Sequence, residues 1–307
     1  MSKTVALLMG GWSPEREVSL SSGRECAKAL ADHGYRVKPI DVGCDLAALL
    51  KALDPPPDVI FNALHGVGGE DGTIQAVFEM LRIPYTHSGV RASALAMHKP
   101  TAKTLFRAAG LPVAEDVVAS PEDLLARDPM PAPFVIKPTN QGSTFGVRIV
   151  RIGDNAWREE LKDWGYGDEI LVERFIPGRE LTVAVMGDRV LGVCEIVPRN
   201  SSFYDYTAKY SPGGSDHLVP APLPASDYEF ALDIALRAHT ALGCRGVSRA
   251  DLRYDDTLGG DGRLYLLEVN TQPGMTPTSL VPDIARHAGI GFDELVVWMV
   301  ENAACGE

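Results

Sequence analysis

Ser248-Arg249-Ala250-Asp251-Leu252-Arg253-Tyr254 and Leu264-Tyr265-Leu266-Leu267-Glu268-Val269-Asn270 lie late in the chain and read as two strands of one hairpin. Side chains alternate along a strand, so Arg249 and Asp251 share one face, and Glu268 and Asn270 share one face. If the strands pair, Asp251, Glu268 and Asn270 converge. Two carboxylates and an amide oxygen make a hard site suited to Mg²⁺ beside nucleotide phosphates. Solvated acids on an open strand face are the competing reading. Alternation also puts Leu264 and Leu266 on the face of Glu268 and Asn270, which favours a covered cleft.

Upstream, Phe134-Val135-Ile136-Lys137-Pro138 is an apolar strand that delivers a lysine, and Thr139 to Val147 form a small-residue loop behind it. Glycines let backbone N–H groups approach phosphate oxygens, and a lysine adds a point charge. A plain hairpin with a surface lysine is the alternative. No GxxxxGK[ST] loop occurs. Ile170 to Phe175 is a further apolar strand that leaves Glu173 at its end, with Glu180 after the turn. A carboxylate there can accept from ribose hydroxyls or an adenine amine; taken without the neighbouring motifs, two surface acids are the stronger reading.

The N-terminal third alternates strand and helix. Val5–Met9, Tyr35–Ile40 and Val59–Leu64 read as strands, and Ser19–Leu30, Leu46–Leu53 and Thr73–Leu81 as helices. That order implies a parallel sheet covered on both faces. Two loops follow strand ends, where such sheets bind ligands. One is Gly10 to Gly23, which carries Glu15 at a helix start, fit for an ammonium group or simply favoured by the helix dipole. The other is His65 to Thr73, whose glycines do not match GxGxxG. His65 is either a packed strand-end residue or a substrate contact.

From Ala92 to Gly110 the pattern is helical, interrupted at Pro100. Val113–Ala119, Phe134–Pro138, Gly146–Val150 and Ile170–Phe175 make a small α+β segment. After Arg179 strands dominate, apart from an amphipathic helix over Tyr228–Leu242. Phe203–His217 is long for a connection and is the candidate lid. The expected domains are 1–95, 96–179 and 180–307.

The chain has 307 residues, a net charge of −12 and five cysteines without a CxxC pair. The acidic balance argues against a nucleic-acid partner. The odd cysteine count argues against a disulfide framework or a thiolate metal site. No apolar run has the length of a membrane span, and no signal segment opens the chain. A soluble cytoplasmic protein is expected.

Together and in this order, GGWSPEREVSLSSG (10–23), HGVGGEDGTIQ (65–75), FVIKPTNQGSTFGV (134–147), ILVERFIPGRELTVAV (170–185), YDYTAKY (204–210), SRADLRYD (248–255) and LYLLEVNTQPGMTPTSLVP (264–282) resemble the D-alanine–D-alanine ligase family over nearly the whole chain. Each motif alone is modest, but the set is specific. The resemblance implies an ATP-grasp fold, α/β and α+β, with an N-terminal parallel-sheet domain. It implies ATP-dependent joining of two D-alanine molecules for the cell wall, two Mg²⁺ (or Mn²⁺), and a homodimer.

Roles are likewise implied by the resemblance. Lys99 and Lys137 hold phosphates, and Lys209 approaches the γ-phosphate. Gly142, Ser143 and Thr144 close over them. Glu173 and the Ile176 backbone bind adenine beside Arg174, and Glu180 binds ribose. Asp251, Glu268 and Asn270 hold the metals. Glu15 receives the ammonium of the first D-alanine. His65, Tyr204 and Tyr210 border the substrate, and Tyr210 and Ser143 link to Glu15. Arg249 and the Gly274 N–H stabilise the oxyanion, and Ser279 and Leu280 hold the second carboxylate. Arg174 stands where relatives often carry lysine, and Thr144-Phe145 depart from the family's usual loop.

A D-alanine–D-lactate ligase tends to lose the lysine–tyrosine pair of the lid, which Lys209-Tyr210 retains here. Another carboxylate–amine ligase of the superfamily fits the substrate-side motifs less well. A non-catalytic homologue would lack a metal ligand or the oxyanion arginine, and neither is missing. Lys209→Ala is expected to cut turnover severely. Steady-state turnover near the wild-type rate would contradict the role of Lys209.

Overall fold

The computed structural model describes residues 2–199, 214–277 and 279–306. Its first sheet is parallel, with β1 (Thr4–Gly10) between β2 (Arg36–Val42) and β3 (Val59–Asn62). Val5, Ala6, Leu7 and Leu8 are all fully buried, as a strand covered on both faces requires. α1 (Arg16–Asp32), α2 (Leu46–Ala52) and α3 (Thr73–Leu81) connect and cover the strands. Asp45 caps α2 by accepting from the Ala48 N–H. Leu8, Ile60, Leu49 and Phe78 pack on one face, and Val5, Leu7 and Phe61 on the other.

The helical stretch over 92–110 is two helices, α4 (Val90–Met97) and α5 (Lys99–Ala108). The break falls at His98, ahead of Pro100. His98 is extended and its side chain accepts from the Thr101 N–H, so it caps α5. Pro100 sits in the first turn, where no intrahelical N–H bond is lost.

The second sheet is antiparallel in the order β4 (Asp116–Ala119), β7 (Ile170–Arg174), β5 (Phe134–Pro138), β6 (Arg148–Val150). Two short helices unforeseen in the sequence, α6 (Pro121–Ala126) and α7 (Trp157–Leu161), back it through Leu124, Trp157 and Leu161. The strand expected from Val113 begins only at Asp116. Val113 instead bridges to Leu266 in the third sheet, so the chain changes sheets at this point.

The third sheet is antiparallel: β10 (Ser215–Leu218), β9 (Arg189–Pro198), β8 (Arg179–Met186), β11 (Val247–Tyr254), β12 (Leu264–Asn270). α8 (Ala225–Leu242) covers one face with Ala231, Ile234 and Ala238. α9 (Leu280–His287) and α10 (Phe292–Glu301) cover the other and share one core with β1 and β3. These two helices are absent from the sequence reading, which expects mainly strands after Arg179. Of the candidate lid, residues 203–213 lie outside the described ones, and Ser215–His217 belong to β10, paired with β9.

One expectation is corrected at β12. Asp251 pairs with Glu268, but Leu252 pairs with Leu266, so Leu267 is the extra residue of a β-bulge. Alternation resets there. Leu264 and Leu266 join the core with Leu252 and Val269. They do not share the face of Glu268 and Asn270.

α8 is tied to β11 by a hydrogen bond between His239 Nδ1 and Ser248 Oγ at 2.7 Å. Burial pushes the His239 imidazole down to about 4. A histidine whose folded value is depressed contributes stability above its unfolded value of roughly 6.5, and that contribution is lost as pH falls toward the folded value. The wild type is expected to lose about 2 kcal/mol more than His239→Gln between pH 7 and pH 5. Denaturant unfolding at the two pH values checks this, and equal losses would contradict it.

Candidate active site

A cleft of about 730 Å³ opens between the second and third sheets, lined among others by Lys137, Ser143, Glu173, Ile176, Glu180, Asp251 and Glu268. Its sides come from different elements. β5 supplies Lys137, the β7 end supplies Glu173, the β8 start supplies Glu180, and β11 and β12 supply Asp251 and Glu268. Glu180 lies opposite Arg253, which reaches it at 3.3 Å and also donates to the Ile176 carbonyl at 3.1 Å. The Arg174 guanidinium lies 5.0 Å from the centre of the Tyr265 ring.

Asp251 stands between two neighbours across three strands, with Thr182 on one side and Glu268 on the other. Thr182 Oγ1 donates to Asp251 at 2.7 Å, and Arg249 donates to both of its oxygens at 2.8 and 2.7 Å. Facing carboxylates in a cross-strand pair repel. Arg249 offsets that charge on one side, and Lys99 Nζ, 3.5 Å from Glu268, offsets it on the other. Lys99 also donates to the Gln141 carbonyl at 2.7 Å, tying α5 to the loop after β5. Asn270 Oδ1 accepts from the Gln272 N–H at 2.7 Å.

No three His, Cys, Asp or Glu side chains among the described residues cluster closely enough to hold a metal by themselves. Here the two facing carboxylates are completed by the amide of Asn270, opposite Arg249. That all-oxygen donor set suits Mg²⁺ and is poorly suited to softer ions.

A smaller pocket of about 360 Å³ adjoins the cleft and shares Lys99, Ser143 and Glu268 with it. Glu70 lines it. Glu15, in the turn before α1, is buried rather than a surface acid. The loop after β5 sits directly on these acids: a Cβ on Gly142 would lie 2.9 Å from Glu15 Oε2 and 3.1 Å from Glu70 Oε1. Burial, and then the nearby Glu15 charge, push Glu70 up to about 8. The next residue, Ser143, adopts φ 54°, and its hydroxyl is buried without a hydrogen-bond partner. An orphaned hydroxyl on the wall between two cavities is suited to a ligand that spans both.

His65 is buried, and burial lowers its imidazole to about 4, so the ring is neutral at pH 7. Its Nε2 lies 3.4 Å from Ser22 Oγ, which accepts from the Met275 N–H at 3.3 Å. His65 therefore stands beside the Gly274–Met275 turn. Ser279 caps the turn by accepting from the Thr276 N–H at 3.1 Å, and Leu280 follows it, buried, at the start of α9. Tyr204, Lys209 and Tyr210 lie outside the described residues.

Sequence reasoning missed four residues here: Glu70, Lys103, Thr182 and Gln272. Gln272 joins the first and third sheets, since it accepts from Asn62 Nδ2 at 2.9 Å and donates to the Leu64 carbonyl. Lys103 carried a readable signal. It lies one turn after Lys99 on a helix face that also carries the buried Ala102 and Phe106.

The model described as "D-ala D-ala ligase C-terminus" matches residues 105–301, and that described as "D-ala D-ala ligase N-terminus" matches residues 46–88. The D-alanine–D-alanine ligase of Chelativorans sp. (strain BNC1) is 59% identical over 305 residues, covering 99% of this chain and 98% of that one. The D-alanine–D-alanine ligase of Parvibaculum lavamentivorans is 60% identical over 306 residues, with the same coverages. Among solved structures, D-alanine–D-alanine ligase from Bacillus anthracis complexed with ATP superposes with a TM-score of 0.82 at 30% identity, covering 98% of this chain and 97% of that one. VanG D-Ala:D-Ser ligase from Enterococcus faecalis gives 0.82 at 28% identity, covering 98% and 99%.

Gly142→Ala places a methyl group against Glu15 and Glu70. Its expected effect is a fall in kcat/KM of about tenfold or more, equivalent to ~1.4 kcal/mol of lost transition-state stabilisation. Steady-state kinetics check this, and an unchanged kcat/KM would contradict the close seating of the loop on the two acids.

Proposed function

This chain belongs to the D-alanine–D-alanine ligase family, and from that membership we propose how its residues share out the reaction. The enzyme joins two D-alanine molecules into D-alanyl-D-alanine while ATP becomes ADP and phosphate, a step of peptidoglycan synthesis. The observation that carries the residue assignment is the shared wall of the two cavities. Lys99, Ser143 and Glu268 border both, so a nucleotide in the larger one would point its phosphates at a small molecule in the other.

A carboxylate is a poor electrophile and must first be activated. Glu15 takes the ammonium of the first D-alanine and leaves its carboxylate facing the γ-phosphate. One carboxylate oxygen attacks the γ-phosphorus, the bond to the β-bridging oxygen breaks, and an acyl phosphate and ADP form. Lys99, Lys137 and Lys209 neutralise phosphate charge. Glu173 and the Ile176 backbone hold adenine beside Arg174, and Glu180 holds ribose. Asp251, Glu268 and Asn270 hold Mg²⁺ or Mn²⁺, which supplies further charge neutralisation when bound.

The amine of the second D-alanine, its carboxylate held by Ser279 and Leu280, then attacks the acyl carbon. The tetrahedral oxyanion is met by Arg249, already aligned by its two bonds to Asp251, and by the Gly274 N–H. The intermediate collapses, and phosphate leaves. Ser143 and Thr144 cover the phosphates, His65 borders the substrate pocket, and the family resemblance adds Tyr204 and Tyr210 as substrate contacts. Exclusion of water matters because an acyl phosphate hydrolyses readily.

Homodimerisation and a cytosolic setting come from the family as part of the same proposal. No helix among the described residues is long and apolar enough to cross a membrane. The five cysteines are free, which suits a reducing compartment.

ADP release should require D-alanine and Mg²⁺, and D-lactate should not compete effectively as the second substrate. Glu268→Gln should lower kcat by about a hundredfold or more while the fold melts normally. A coupled ADP-release assay with product analysis checks both. No release at millimolar D-alanine would overturn the assignment, and so would a fully active Glu268→Gln.

A further inference from the structure

Glu173 is engaged from both sides. Lys137 reaches one oxygen from β5, and Lys103 Nζ lies 2.7 Å from the other, reaching it from α5. The two lysines occupy different places. Lys137 lines the nucleotide cleft, as does Glu173, whereas Lys103 is absent from its walls and only 1% exposed. Lys103 also lies 3.6 Å from Asp116, which Arg107 pairs from the outside. Asp116 and Glu173 face each other across β4 and β7.

The charges around Glu173 are uneven. Among the described residues, the close ion pairs of Lys103, Lys137 and Arg107 are with Glu173 and Asp116, three cations against two carboxylates, while Glu268 and Glu180 act on Lys137 from farther off. If Lys137 turns to the phosphates, two cations and two carboxylates remain. A buried carboxylate without a cation is costly, whereas a paired one is tolerated. The cluster therefore loses Lys137 without leaving a buried carboxylate unpaired, but only if Lys103 is present.

We propose that Lys103 is a positioning residue for nucleotide binding, holding the Glu173 carboxylate ionised and in place so that Lys137 is free to leave it for the phosphates. Lys103 touches neither substrate nor nucleotide and acts through Glu173. The inference rests on the reading above that Glu173 meets adenine and Lys137 the phosphates. Burial alone would raise the Glu173 carboxyl, yet the two lysines hold it down at about 2. Without Lys103, Glu173 has only Lys137 as a close cation, and each ATP that binds must break that pair.

The test compares wild type, Lys103→Met, Glu173→Gln and the double variant by ATP titration calorimetry and steady-state kinetics. Lys103→Met should weaken ATP binding and raise KM for ATP about tenfold, with kcat falling less than about threefold. Lys103→Arg, which keeps the charge, should recover most of the affinity. In the Glu173→Gln background, adding Lys103→Met should change ATP affinity by less than about twofold, because the partner through which Lys103 acts is already neutral. If Lys103→Met fails to fold, Lys103→Gln replaces it in the same cycle. Unchanged ATP affinity in the neutral Lys103 variant would overturn the inference. So would an effect of equal size with and without the Glu173 carboxylate. If Glu173→Gln itself binds ATP as the wild type does, the adenine reading fails, and the inference with it.

Discussion

The pairing of β11 with β12 is the constraint on which the rest of the molecule depends. One face of the pair carries Ala250, Leu252, Leu266 and Val269 into the core beneath α8. The same register sets Asp251 opposite Glu268 and Arg249 opposite Asn270 on the other face. The reactive groups are thereby fixed by the packing of apolar side chains directly behind them. Two facing carboxylates would drive the strands apart if nothing met their charge. Arg249, Thr182 and Lys99 meet it, from three different elements.

That arrangement makes the first and second sheets accessories to the third. Gln272, two residues beyond Asn270, bonds to Asn62 and to the Leu64 carbonyl, which sets the N-terminal loops over the site. The loop after β5 reaches across from the second sheet, held by Lys99 through the Gln141 carbonyl. It rests where Gly142 lets it approach Glu15 and Glu70 most closely. Glu15 and Glu70 from the N-terminal loops, Lys99 from α5, Ser143 from the loop after β5 and Glu268 from β12 therefore meet around one short wall.

Much of this is legible in the sequence, because strand periodicity and terminal residues are local properties. The parallel sheet, the strand delivering Lys137, the strand ending at Glu173 and the late hairpin all follow from apolar runs and turn residues. The bulge at Leu267 does not. Alternation alone puts Leu266 and Glu268 on one face, and only the tertiary pairing reveals that the parity resets. Glu70 was hidden for a related reason. An acid in a glycine-rich loop resembles a surface residue until distant segments bury it. α9 and α10 do carry local start signals, Ser279 at the N-cap of one and Asp293 and Glu294 in the first turn of the other, but they follow a run of strands that dominates the pattern after Arg179. Lys209 and Tyr210 rest on the family resemblance alone.

The most direct measurement is a crystal structure with a non-hydrolysable ATP analogue and Mg²⁺. The expected result has Mg²⁺ at ~2.0–2.1 Å from side-chain oxygens of Asp251, Glu268 and Asn270, with the phosphates alongside and Lys137 turned toward them. Phosphates bound elsewhere, with those three side chains turned away from them, would contradict the placement of the reaction on the β11–β12 face.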